Sequence, residues 1–275
     1  MYTALFGFAF VCILPFYYVI TVSFSDPTLV REGHVTLLPR GFSLEAYRLI
    51  FRQQTFFNAF RISVMRAIVG TAVGLTLQCS VAYALSRKYL FGRKFFLLFI
   101  IFTILFNGGI IPTYLVVRYT GLLDTFLALI IPNAISSWNV IILISFFLTI
   151  PDSIEESAKM DGANDMLIFA RLVIPLSIPA IATIGLFISV YHWNALMDAV
   201  IYINRSALKP LQVYLMDIVM RTQLEQLFPV ELEIDVPPLS IQTAAIFAAT
   251  VPILLVYPFI QRYFMKGIML GALKG

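Results

Sequence analysis

Few residues in this chain have the type and spacing to do chemistry, and their placement argues against catalysis. Two histidines, His34 and His192, and two cysteines, Cys12 and Cys79, lie far apart, so neither a metal site nor a disulfide framework is expected. No HExxH, Gly-x-Ser-x-Gly or GxxxxGK[ST] pattern occurs, which removes the common zinc-hydrolase, serine-hydrolase and nucleotide-binding chemistries. All fifteen acidic residues fall in polar segments or at the ends of apolar runs, Asp198 being the nearest to an exception. Ion-coupled carriers usually hold a carboxylate inside the membrane to bind the coupling ion. Here the driving energy is expected to enter elsewhere. The groups left inside the apolar runs are mostly neutral: Gln78 and Tyr83, Asn107, Trp138 and Asn139, and the run Tyr191-His192-Trp193-Asn194. Amides exchange hydrogen bonds with hydroxyls and aromatic faces stack on sugar rings, so these side chains are the expected solute path. The same residue types also glue helices together or anchor them at headgroup level.

The elements that carry these residues follow from composition. Of 275 residues, 60% are hydrophobic and 12% charged, against about a quarter charged in a soluble domain. A soluble enzyme and a disordered chain are both excluded. A net charge of +4 gives no reason to invoke nucleic acid. The apolar runs reach the roughly 20 residues of a membrane-crossing helix. The expected fold class is therefore all-α: a polytopic membrane protein with six transmembrane helices and one domain over 1–275. The spans fall at about 3–24, 67–86, 95–117, 125–149, 173–202 and 241–264. The first run has no basic leader and no small-residue cleavage site, so it reads as a retained helix. Polar segments 25–57 and 203–240 are expected as external loops, the first ending in an amphipathic surface helix from Ser43. Asn107-Gly108-Gly109 and Pro112 should interrupt the third span. Nine basic residues crowd the loops 87–94 and 150–172 and the tail 262–275, against seven spread over the two longer loops. That bias places the first set, and both termini, in the cytoplasm of a bacterial inner-membrane protein.

The segment between the fourth and fifth spans, 150–172, carries a different kind of chemistry. Ser153 with Glu156 three residues later is a capping-box pattern, and Asp152 and Glu155 complement a helix dipole. A short helix should begin near Ser153 and end at Asp161-Gly162, where glycine reaches the left-handed conformation without a Cβ clash. A second, over about Ala163–Leu172, would present Met166, Leu167, Phe169 and Ala170, before Pro175 and Pro179 restart the chain as span five. The expected product is a rigid helix–turn–helix knob, although an amphipathic connector resting on headgroups would share its pattern.

In detail, this segment resembles the EAA loop of the membrane subunits of bacterial ABC importers, with consensus EAA, three residues, Gly, nine residues, then I-x-LP. Glu156-Ser157-Ala158, Gly162, Leu172 and Ile174-Pro175 stand in register, departing only at Ser157, Leu172 and Ile174. The likeness extends along the chain through Leu14-Pro15-Phe16, Phe42–Tyr47, Ala82–Arg87, Phe106–Tyr114 and the tail Lys266–Gly275, and is strongest to the carbohydrate branch, including alginate- and pectin-type systems. The resemblance implies a type I importer permease fold with a cytoplasmic coupling loop. It implies that Glu155, Glu156, Ser157, Ala158, Asp161, Gly162, Ala163, Met166 and Phe169 seat in a separate ATPase, with the tail reaching toward the ATPase dimer. It also implies a homologous second permease, an ATPase subunit dimer that alone binds ATP and magnesium, a soluble substrate-binding protein facing loop 203–240, and a chain that is not itself an enzyme. The competing expectation is a secondary transporter or channel for small polar solutes working without an ATPase.

Overall fold

The computed structural model describes the backbone of residues 2–227 and 236–272, and the side chains of these except 4, 224–227 and 256–272. Among them the regular elements are all helical, and the one β-bridge joins Ser25 to Phe42. In chain order the α-helices are α1 (Tyr2–Ser23), α2 (Pro27–Arg31), α3 (Glu45–Arg52), α4 (Gln54–Ser86), α5 (Arg93–Leu105) and α6 (Ile110–Tyr119). Two 3-10 turns over 126–133 lead into α7 (Ser137–Phe147), followed by α8 (Asp152–Met160) and α9 (Asp165–Ile168). A wide π turn, Phe169–Val173, joins α9 to α10 (Ile174–Leu176), and α11 (Ile178–Asn194), α12 (Met197–Tyr202), α13 (Leu211–Leu227) and α14 (Pro238–Ala272) complete the chain.

By length and composition, three described helices can cross a membrane alone, and six spans result if each bent helix pair counts as one. Composition locates the apolar runs well but not their breaks. The second span is part of a 33-residue helix that starts at Gln54, well before Ala67. Arg61 and Arg66 argued for a later start, yet no strong breaker lies between Gln54 and Ser86, and Arg66 finds a buried partner. The third span does not merely kink: α5 and α6 meet at 119°. Gly109 takes φ +82°, which a side chain would resist, and its N–H donates to the Asn107 amide oxygen at 2.8 Å. The fourth bends by 54°, and the fifth begins at Ile178, where the chain turns 83° out of the knob. The expected loop 203–240 contains the 17-residue helix α13, with Leu211 and Val213 buried.

The chain divides into two compact units, residues 1–62 with 209–256 and residues 63–208 with 257–275. In the first, α3 buries Ala46, Tyr47 and Ile50, and the Tyr47 hydroxyl donates to Ser23 at 2.8 Å. Phe24 packs on Tyr47 and Phe247 at ring separations of 5.0 and 5.7 Å. In the second, one core of Ala82, Leu85, Leu143, Phe147, Ile168 and Ile184 runs from the spans directly into the knob. The tail Lys266–Gly275, singled out from the sequence, has no described side chains and its last residues lie outside the described backbone.

Candidate functional site: a clamped helical knob

The knob is built from α8, the turn at Asp161-Gly162, and α9 to α10. The expected capping box is not formed. Pro151 is the N-cap, and Ser153 sits inside the helix with its carbonyl accepting from the Ser157 hydroxyl at 2.9 Å. Proline ahead of Asp152 presets the first turn one residue early, and Asp152 is then held by Lys88 at 3.0 Å. The end of the helix is as expected. Gly162 adopts φ +83°, its N–H donates to Lys159 and that of Ala163 to Ala158, both carbonyls at 3.0 Å. Asn164 restarts the chain by accepting from the Leu167 N–H at 2.9 Å.

What fixes the knob is the end of α4 and the loop after it. Arg87, just past α4, is buried and pairs with the equally buried Glu155 of α8, while its guanidinium carbon lies 4.7 Å from the centre of the Tyr83 ring. Burying either charge alone would be costly, and pairing removes most of that cost. Tyr83 reaches across to α9: its hydroxyl donates to the Asp165 carbonyl at 3.3 Å and its ring packs 4.8 Å from that of Phe169. Outside this buried layer, the Tyr89 hydroxyl donates to the Asp165 carboxylate at 2.9 Å, and Lys159 pairs with the same carboxylate at 3.2 Å. Tyr89 and Lys159 hold the Asp165 carboxyl below its usual value, and Asp165 raises Lys159 in turn. Both α8 and α9 are thus tied to one short segment, Tyr83–Tyr89.

The residues expected to meet an ATPase therefore separate into two faces. Glu155 is buried, and Ala158, Ala163 and Phe169 are half-buried against the chain's own core. They are occupied internally because the helical period turns 155 and 158 toward the spans while 156 and 160 face away. Glu156, Ser157, Asp161, Gly162, Met166 and Leu167 are exposed. Met160 belongs with this outer face at 89% exposure, beside Met166 at 73%. The sequence reading passed over it, although its position four residues after Glu156 was the available signal.

The nine residues expected along the solute path differ in burial and in partners. Tyr83 belongs to the knob clamp. Gln78 is buried and donates to the Ala134 carbonyl at 2.8 Å, holding the broken fourth span where it re-enters α7. Asn139, His192 and Trp193 are buried, whereas Asn107, Trp138, Tyr191 and Asn194 are exposed. Further back in α4, Arg66 is wholly buried, paired with Asp198 and donating to the Ala195 carbonyl at 3.0 Å. One turn along, Gly70 leaves the space that the His192 ring fills, and Gly74 faces Ile188. Gly70-Thr-Ala-Val-Gly74 is a GxxxG pattern of close helix packing, a signal available in the sequence and left unused.

Comparison with known proteins gives this geometry a setting. Residues 91–269 match the family described as the binding-protein-dependent transport system inner membrane component. The chain is 48% identical over 277 residues to the polygalacturonan/rhamnogalacturonan transport system permease protein YtcP of Bacillus subtilis (strain 168), covering 100% of this chain and 97% of that one. It is 27% identical to the trehalose transport system permease protein SugB of Mycobacterium tuberculosis, over 96% of this chain and 92% of that one. Among solved structures, a bacterial ABC transporter involved in the import of the acidic polysaccharide alginate superposes with a TM-score of 0.89 at 33% identity, over 95% of this chain and 94% of that one.

Proposed function

The chain belongs to the binding-protein-dependent transport system inner membrane components, and on that premise we propose that it is the permease subunit of an ATP-driven importer of oligosaccharides or polysaccharide fragments, of the alginate or pectin type. It is a non-catalytic membrane subunit. In this reading the knob lies in the cytoplasm with both termini, and ATP and magnesium are bound by a separate pair of ATPase subunits. Six spans are few to enclose a sugar-sized path, so a homologous second permease completes it, and a soluble binding protein delivers the sugar to the opposite side.

The observation that carries the reading is the clamp. A docking element that transmits force must not pivot on its own stem, and here α8 and α9 are both fastened to the end of α4 by the Arg87–Glu155 pair and by Tyr83 and Tyr89. The outer face then offers the acidic Glu156 and Asp161 between the apolar Met160, Met166 and Leu167. That is a compact apolar anchor with a charged rim, suited to a cleft bearing arginine or lysine. When ATP draws the two ATPase subunits together, motion applied to this face passes through α4 and α10–α11 and tilts the spans. Asn107, Trp138, Tyr191 and Asn194, the exposed members of the expected path, are the groups free to meet a sugar. A chain lacking 153–170 should still insert in the membrane but no longer bring the ATPase down in mild detergent. Undiminished co-purification from that variant would reject the assignment.

A further inference from the structure

The first unit holds a cleft of about 810 Å³ that plays no part in the reading above. Its walls are aromatic: Phe24, Phe51, Phe56, Phe57 and Phe247 surround it, with Val251 and Pro252 of α14 closing one side. Phe51 and Phe57 remain about half exposed, 6.2 Å apart between ring centres, so the cleft is open rather than sealed. Two arginines, Arg48 and Arg52, stand on its rim. They lie four residues apart on α3, hence on one face of that helix, and like charges so placed repel. Among the described residues, neither forms an ion pair with a carboxylate of this chain.

The chemistry of the walls selects the occupant. A saccharide would bring a hydroxyl on nearly every carbon, and below the two rim arginines the aromatic walls have almost nothing to bond them: the Tyr47 hydroxyl is already committed to Ser23 at 2.8 Å. An acyl chain needs no such partner and gains from each methylene it buries against phenylalanine. At the rim, each guanidinium presents donors that match a phosphate, whose negative charge would also relieve the repulsion between the two. Helix α3 is amphipathic and sits between α1 and α4, where an interfacial helix meets headgroups. We propose that this cleft is a specific site for an anionic diacyl phospholipid, its acyl chain among Phe51, Phe56 and Phe57 and its phosphate held by Arg48 and Arg52.

The test uses the assembled transporter, purified and exchanged into defined lipid. Native mass spectrometry should find phosphatidylglycerol retained in preference to phosphatidylcholine by about thirtyfold, as two surface arginines acting on one anionic headgroup would give. R48Q/R52Q should abolish that preference, and R48K/R52K should keep most of it. If the glutamine variant fails to assemble, a benzophenone side chain at Phe57 in the otherwise native chain gives the same answer: lipid adducts with phosphatidylglycerol in clear excess. Equal retention of both lipids, unchanged preference in R48Q/R52Q, or adducts from Phe57 to another protein chain would each overturn the proposal.

Discussion

Two buried arginines, Arg66 within α4 and Arg87 just past its end, do different work. Arg66 and Arg87 are about 30 Å apart along the helix axis, close to the depth of a hydrocarbon core. Each is desolvated and each is paired with one carboxylate, Asp198 or Glu155. Arg66 lies among helices packed at glycine distance, with Gly70 and Gly74 bringing His192 and Ile188 against α4. Arg87 lies where the spans give way to a polar knob, in a buried layer with Tyr83, and Tyr89 and Lys159 stand outside that layer. The first pair joins span to span. The second joins the spans to the knob, whose outer face carries the exposed Met160 and Met166. The lesson is that a buried ion pair does not by itself mark a functional centre; what it fastens decides its role.

Breaking one partner of either pair should have the largest effect. Glu155→Ala and Asp198→Ala each leave a buried guanidinium uncompensated, at a cost of about 3–5 kcal/mol. Both should lower the thermal midpoint in detergent, but only Glu155→Ala should also open residues 150–172 to protease and uncouple ATP hydrolysis from transport. Equal protease sensitivity in the two variants would remove the distinction drawn here. By contrast, an apolar double replacement, Arg66→Met with Asp198→Leu, should recover most of the stability lost in Asp198→Ala, since two well-packed apolar groups can replace a buried pair at little cost.

A smaller effect sharpens the contrast in packing. Gly70→Ala places a Cβ on the His192 ring and should cost about 1–3 kcal/mol by overpacking, read as a lowered thermal midpoint that His192→Ala in the same chain partly restores. Gly162→Ala strains a left-handed turn instead, at roughly 1–2 kcal/mol, and should reduce ATPase co-purification more than overall stability. The outer layer of the clamp should matter least. Asp165 is held below its usual value, so its contribution is complete above about pH 4 and fades as pH falls through the lowered value. Lys159 is raised, so its contribution is complete up to about pH 10 and fades only as pH rises through its higher value. Both groups are substantially exposed, which limits the pair to about 0–1 kcal/mol. Protease resistance of the knob should therefore be flat from pH 6 to 9, and Asp165→Asn should weaken it only slightly.

The residues of this chain determined by themselves that it is helical and membrane-bound, and that one polar segment would fold into two short helices around Gly162. Hydropathy over 20 residues, a left-handed glycine and an acidic first turn are local properties, legible without a partner. Which side of the knob faces outward was only half legible. The register placed Glu155 and Glu156 side by side, and helical rotation alone sends one inward and the other out, but the choice depends on Arg87 arriving from 68 residues earlier. Likewise the 119° bend between α5 and α6, the burial of Arg66 and the burial of Gln78, Asn139, His192 and Trp193 follow from which helices meet, and contacts between distant segments are decided by packing and desolvation rather than by the period of any one stretch.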